Sequence, residues 1–220
     1  MKEGIVTEYI VLLVSAVAVA AGAWHLWSPG ARKQRDFRKA KPVLIRDTAD
    51  GVLVKLVGRI VIDGDLGTLA PLTQRPCAAH TVEVKSPAAV SQTRHSWVTV
   101  FVADGTAEFE LEDSSGRALI RPQGTRLEMS TDTSLSSSES EPATPEMESL
   151  LAAHGVEMDI YSGIVSFRYR EGILAAGQHV ALLGVAKWEV APTAGEGGGY
   201  RGQAKRLVIT DVQMLSDHPG

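Results

Sequence analysis

Val52–Ile62, VLVKLVGRIVI, is the stretch that decides the fold. Eleven residues are dominated by β-branched and aliphatic side chains, and turn dipeptides close both ends: Asp50-Gly51 before, Asp63-Gly64 after. Such a run is too short and too β-branched for a helix and predicts one long strand. Gly58, in its middle, predicts a bulge or bend.

Working outward, the same pattern recurs. Cys77–Lys85 alternates as a second strand. Trp97–Val102, WVTVFV, is a third, with Asp104-Gly105 expected to turn it. Ala107–Glu112 and Arg117–Pro122 flank Asp113-Ser114-Ser115-Gly116, and Phe109–Ile120 reads as a tight hairpin. Leu127–Ser130 is a further short strand, and Gly163–Arg170 another. Glu171–Gly177 is expected to turn into His179–Val190, a strand interrupted at Gly184, and Ala204–Met214 closes the series. About eight short strands with short connections argue a mainly β domain, a barrel or a sandwich, with a single antiparallel barrel of the OB-like type preferred.

Two segments depart from this pattern. Thr131–Thr144, TDTSLSSSESEPAT, is Ser-rich and acidic with little to bury, so it is expected to be a disordered insertion. Thr144-Pro145-Glu146 then provides an N-cap, a proline at the first helical position and an acid in the first turn. It predicts one short helix over 144–154 that stops at Gly155.

Upstream lies Tyr9–Trp27, YIVLLVSAVAVAAGAWHLW, without a charged residue. About 20 mostly apolar residues suffice to span a bilayer core. Tyr9 at one end and Trp24 and Trp27 at the other suit the two interfaces. Six basic residues follow within Arg32–Lys41: Arg32, Lys33, Arg35, Arg38, Lys39 and Lys41, against the single acid Asp36. Ahead of the run stand only Lys2 and the amino terminus, with Glu3 and Glu8. A cleaved signal peptide carries its charges on the other side, so the flanks favour an uncleaved anchor over the small-residue cleavage sites at Ala18–Ala20 and Ala21–Ala23. The expected layout is a tail at 1–8, a transmembrane helix at 9–27, a basic neck at 28–42, a β domain at 43–215 and a tail at 216–220. The positive-inside rule then places the N-terminus outside and the domain in the cytoplasm. Each neck cation near anionic headgroups adds about 1 kcal/mol of attraction.

Composition narrows the chemistry. The 220 residues carry a net charge of −4, and Leu127–Phe167 holds eight acids and no Lys or Arg. With 5% aromatic residues and an acidic insertion, a nucleic-acid groove is disfavoured. The single cysteine, Cys77, excludes an intramolecular disulfide and a Cys-rich zinc site. Cys77 and His80, three apart on one strand, point to opposite faces, which disfavours a thiol nucleophile with its base. Glu171 reads either as an acid paired with Arg168 or Arg170 at a binding site, or as a structural acceptor of backbone N–H groups. Arg168 and Arg170 share one face of their strand and Phe167 and Tyr169 the other. Asp113 and Gly116 belong to a hairpin turn rather than to a calcium loop. No cofactor and no catalytic residue is expected.

The order of motifs resembles the GIDE, or beside-a-membrane, domain of MULAN-type membrane E3 ubiquitin ligases and their bacterial relatives. The matching pieces are Leu56-Val57-Gly58-Arg59-Ile60, Ala70–His80 (APLTQRPCAAH), Phe109–Ala118 (FELEDSSGRA) and Phe167–Glu171 (FRYRE), with Gly177 and Leu183-Gly184 beyond. The resemblance spans roughly Val43 to Leu215. It implies a membrane-adjacent β domain for recognition or scaffolding, with a protein partner. The family's ligases carry a zinc-binding RING domain needing about eight Cys/His ligands. One cysteine and six scattered histidines cannot supply it. The expectation is therefore a RING-less member of bacterial type, with three functional readings: a recognition scaffold, one component of a ligase-like or protease-linked system whose catalytic module lies on another chain, or a lipid or small-ligand module.

Overall fold

The computed structural model describes residues 29–87, 96–156, 166–190 and 205–218. The expected transmembrane helix, with Tyr9, Trp24 and Trp27, lies outside these residues, as does the whole of the glycine-rich stretch 191–204. Among the described residues no helix is long and apolar enough to cross a membrane. The chain divides into two compact units, Met1–Ala40 and Lys41–Gly220.

In the first unit, helix α1 (Pro29–Lys39) carries most of the basic neck: Arg32, Lys33, Arg35, Arg38 and Lys39 fall within it, and Lys41 follows it. Arg38 and Lys39 sit in its last turn, where cations meet the negative end of the helix dipole. Beyond the expected transmembrane helix, the sequence predicts one short helix at 144–154; among the described residues there are two α-helices, and α1 is the one not foreseen. α1 lacks an apolar face of any length, and Ser28-Pro29, which offers a start signal in the sequence, stands there only as part of the neck.

The second unit contains twelve strands among the described residues. Five of them close a barrel: β1 (Leu53–Val61), β6 (Phe109–Asp113), β7 (Gly116–Ile120), β12 (Lys205–Ser216) and β11 (His179–Val190), with β11 returning to β1. β8 (Arg126–Glu128) pairs further along β12, at Met214–Ser216, on the edge opposite β11. The barrel is not wholly antiparallel, because β7 and β8 run parallel to β12. Parallel pairing needs a long crossover, and the segment between β7 and β12 supplies it.

Nor is the barrel the whole domain. β4 (Ala79–Pro87), β5 (Trp97–Thr106), β9 (Thr133–Ser137) and β10 (Phe167–Leu174) form a separate antiparallel sheet in the order β5-β4-β10-β9. A two-stranded piece joins β2 (Thr68–Leu69) to β3 (Pro76–Cys77).

Period-two burial explains the barrel core. Val54, Leu56 and Ile60 of β1 face inward with Phe109, Leu111, Ala118, Ile120, Val180, Leu182, Leu207 and Ile209. Gly58 continues that inward row but makes no bulge, since β1 stays in register with β11 from Leu53 to Arg59. A Cβ there would stand 2.5 Å from the Glu112 carbonyl oxygen, so the glycine permits close approach of β6. The bulge does occur at Gly184, where the β11–β12 register shifts between Leu183 and Val185.

The second sheet has its own core. Val82, Val84, Phe167 and Tyr169 pack with Leu72 against Met147, Leu150 and Leu151 of helix α2 (Pro145–Ala153). Thr144 Oγ1 caps this helix by accepting from Met147 N at 3.4 Å, and Gly155 follows with φ +66°.

Three local expectations are overturned. Asp104-Gly105 does not turn the chain, because β5 runs through it to Thr106. Glu171 lies within β10, which continues to Leu174. Thr133–Ser137, inside the stretch expected to be disordered, is a strand paired with β10. The Ser-rich segment has little to bury, but the open edge of β10 offers it a ladder of backbone partners, and Ser137 Oγ meets the buried Tyr169 hydroxyl at 3.3 Å.

Candidate functional site: a surface loop clamped by a buried carboxylate

β2 and β3 are joined by the loop 70–75. Ala70 N donates to Arg75 O at 2.9 Å and Gln74 N to Ala70 O at 3.0 Å, with Gln74 in the left-handed region at φ 54°. The loop crosses the buried face of β10, where Phe167, Tyr169, Glu171 and Ile173 alternate with the exposed Arg168 and Arg170. Glu171 is fully buried.

Its carboxylate holds the loop. Leu72 N donates to Oε1 at 2.8 Å; Thr73 N donates to Oε2 at 3.2 Å, and the Thr73 hydroxyl donates to the same oxygen. Thr73 Oγ1 in turn accepts from Arg75 Nε at 3.1 Å. Arg75 Nη2 then reaches Asp132 Oδ1 and Thr133 Oγ1, both at 3.0 Å. One chain of bonds therefore links β10, the loop and the start of β9. The Arg75 guanidinium holds the Asp132 carboxyl below its usual range, and Asp132 raises Arg75 correspondingly. A buried carboxylate is tolerated here because it receives several donors.

Glu171 makes no pair with Arg168 or Arg170, which lie on the opposite face of β10. The Arg168 guanidinium instead lies over the Trp97 ring, 3.9 Å from its centroid.

Cys77 and His80 are not on one strand. Cys77 ends β3 and His80 is in β4, with a break at Ala78, so the alternation argument does not apply to them. The environment still disables the thiol. Cys77 is completely buried, and burial, reinforced by Glu171 and opposed by Arg75, pushes it up to about 11. A protonated thiol at neutral pH is no nucleophile. Burial also lowers His80, against the opposite pull of Glu171 and Asp104. Its ring occupies the space where a side chain on Gly105 would stand.

Asp113 is consumed by its own turn. Oδ1 accepts from Ser115 N and Ser115 Oγ, both at 2.6 Å, and from Gly116 N at 3.1 Å, while Oδ2 accepts from Ile45 N at 2.8 Å. Burial alone would raise this carboxyl, but the bonds from Ser115, Ile45 and Gly116 hold it below its ordinary value. Among the described residues no group of three or more His, Cys, Asp or Glu could hold a metal.

Beside the clamped loop lies a groove of about 510 Å³. Pro71 and Gln74 of the loop form one wall; Pro145, Glu146, Ser149 and Leu150 of α2 form the other. Its lining is largely apolar with a thin acidic and amide rim. Sequence reasoning missed this groove and the role of Thr73 and Arg75. The FRYRE run marked Glu171, but its partners lie 98 and 99 residues earlier in the chain.

The described residues thus form a five-stranded barrel with an appended sheet and a loop held by a buried carboxylate. A family model described as GIDE, E3 ubiquitin ligase, matches residues 80–194, more than half of the 220-residue chain, and the chain belongs to that family. The match is narrower than the resemblance read from the sequence: it takes in Glu171 and the second sheet but not the loop that Glu171 holds. No curated protein matches the chain.

Proposed function

We propose that this chain is a membrane-tethered recognition domain of bacterial type. Tyr9–Trp27 is its single span, the N-terminus lies outside, and the β domain receives a protein partner on the cytoplasmic side of the membrane. The carrying observation is the Glu171 clamp. A fully buried carboxylate has its oxygens occupied by Leu72 and Thr73, and its effect is to hold a surface loop against a groove. The groove's apolar walls and polar rim resemble the anatomy of protein-binding surfaces.

The barrel's connectivity supports the OB-like reading, yet its outer face argues against a nucleic-acid partner. Arg117 is ion-paired to Asp63, Glu110 and Glu112 at 3.0 to 3.3 Å, and Arg121 to Glu108 and Glu189 at 3.2 Å. These cations are already neutralised and offer little to phosphates.

A second reading rests on the family description: the domain is one component of a ubiquitin-ligase-like assembly whose catalytic module is on another chain. Site-specific photocrosslinking in native membranes from positions 74 and 149 tests both. Adducts to a protein support recognition, and adducts to a ubiquitin-like modifier or its conjugating enzyme select the second reading. Lipid adducts alone defeat the proposal. Thiol labelling of an engineered surface cysteine tests topology, and labelling from outside intact cells would reverse the orientation.

A further inference from the structure

β5 is an edge strand. β4 pairs along one side of it, and among the described residues no strand pairs along the other. Ten residues at about 3.4 Å each leave roughly 34 Å of backbone with outward N–H and C=O groups unpaired. Natural edges are guarded by shortness, lysine, proline or inward charge. The opposite edge of the same sheet follows this rule: β9 has five residues, four of them Ser or Thr. β5 does not follow it. It has no lysine and no proline, and Val98, Val100 and Val102 are 52%, 39% and 57% exposed. Its one irregularity, the register shift opposite Val84 and Lys85, bends the edge without charging it.

Next to this apolar edge stands the Trp97–Arg168 stack, with Arg170 two residues further along β10. Neither arginine forms an ion pair among the described residues; Arg170 has only a longer-range attraction to Glu83. Tryptophan and arginine are the side chains most enriched at the energetic centres of interfaces.

We infer that β5 is the docking edge for an extended segment of a partner protein, which adds to the sheet as a fifth strand. This rests on the recognition reading above. The segment is apolar where it passes Val98–Val102 and acidic where it passes Trp97 and Arg168. Main-chain bonds along the edge supply affinity, and the alternate side chains supply selection. The Arg168 guanidinium over Trp97 calls for a carboxylate, and Trp97 gives its neighbour an apolar wall. A second copy of the chain fits less well. Antiparallel self-pairing centred on Val100 would set Thr99 opposite Phe101. Thr99 reaches Glu83 on the outer face, whereas Phe101 packs toward the buried face against His154, and opposed residues in a ladder must share a face.

The test uses the full chain in its native membrane, with a photoreactive phenylalanine at position 98 or 102, and at positions 135 and 149 for comparison. Adducts from 98 and 102 are expected on one segment of one partner protein, about four residues apart, with an acidic residue toward the Trp97 end. Val98→Lys with Val102→Lys should cut the adduct yield from a further probe at position 100 about tenfold while leaving the melting temperature unchanged, and Arg168→Glu should cut it comparably. Hydrogen exchange of the crosslinked complex should show new protection at alternate amides of Trp97–Thr106. Protein adducts at 149 without any at 98 or 102 overturn this inference and leave the recognition reading standing. Absence of protein adducts at every position overturns both. Adducts to a second copy of the chain, or to lipid alone, overturn the partner named here.

Discussion

Replacing Glu171 with glutamine tests the clamp with minimal change of shape. The two carboxylate oxygens accept from Leu72 N at 2.8 Å, from Thr73 N at 3.2 Å and from the Thr73 hydroxyl. An amide keeps one oxygen and turns the other position into a donor. The Thr73 hydroxyl can rotate to accept from it, but one backbone N–H then faces an N–H₂ group. A buried donor left without a partner costs about 1–3 kcal/mol, and the remaining bonds lose their charge assistance, about another 1 kcal/mol. The expected loss is about 2–4 kcal/mol, or roughly 4–16 °C in melting temperature for a domain of this size. Thermal and urea unfolding of the purified full chain measure it, with Arg170→Gln as the exposed control on the same strand, expected within about 0.5 kcal/mol. Hydrogen exchange should place the first loss of protection at Leu72 and Thr73. A Glu171→Gln penalty below about 1 kcal/mol, or one no larger than that of Arg170→Gln, would refute the clamp.

Other outcomes follow from single contacts. Native Cys77 should resist alkylation: a thiol titrating at about 11 instead of 9.0 holds about 100-fold less thiolate at neutral pH, before burial adds its own protection. Rapid labelling of the native protein by iodoacetamide would contradict that. Asp113 has a lowered native pKa, so its stabilisation is complete above the ordinary carboxyl value of 3.8 and is lost as pH falls below it toward the native value. The melting temperatures of wild type and Asp113→Asn should therefore differ at pH 6 and converge in acid, and a constant gap across the range would exclude the linkage. Gly58→Ala should cost about 1–3 kcal/mol in chemical denaturation, because its Cβ would meet the backbone oxygen of Glu112, which cannot swing aside. A neutral result would show that β1 and β6 can separate freely.

Local pattern made much of the fold legible. Val52–Ile62 became β1, the Asp113–Gly116 turn became the β6–β7 hairpin, and Thr144-Pro145 opened α2, because each signal lies within a few neighbouring residues. Gly58 and Gly184 looked alike in sequence. One is a close approach to β6 and the other a bulge beside β12, a distinction made by strands far away in the chain. Asp104-Gly105 carried a turn signal that tertiary structure overrode: the glycine accommodates the His80 ring inside a continuing strand. The same holds at Thr133–Ser137, whose polar side chains promised disorder while the edge of β10 supplied backbone partners.

By itself the sequence determined that the chain folds as a mainly β protein, because strand periodicity and turn residues are properties of short windows. Its motifs in order also determined the family, since residues 80–194 suffice for the match. Only the tertiary structure decided what Glu171, Cys77 and Arg168 do. Glu171 reads the same on paper as an ion-paired acid or as a loop anchor, and the choice depends on a loop brought beneath it from about a hundred residues away. Cys77 is a protonated core thiol because that packing removes water and places Glu171 near it. Arg168 stacks on Trp97 because β5 lies two strands from β10 in the second sheet, and pairing between distant strands is a choice among whole-chain alternatives that no local pattern encodes.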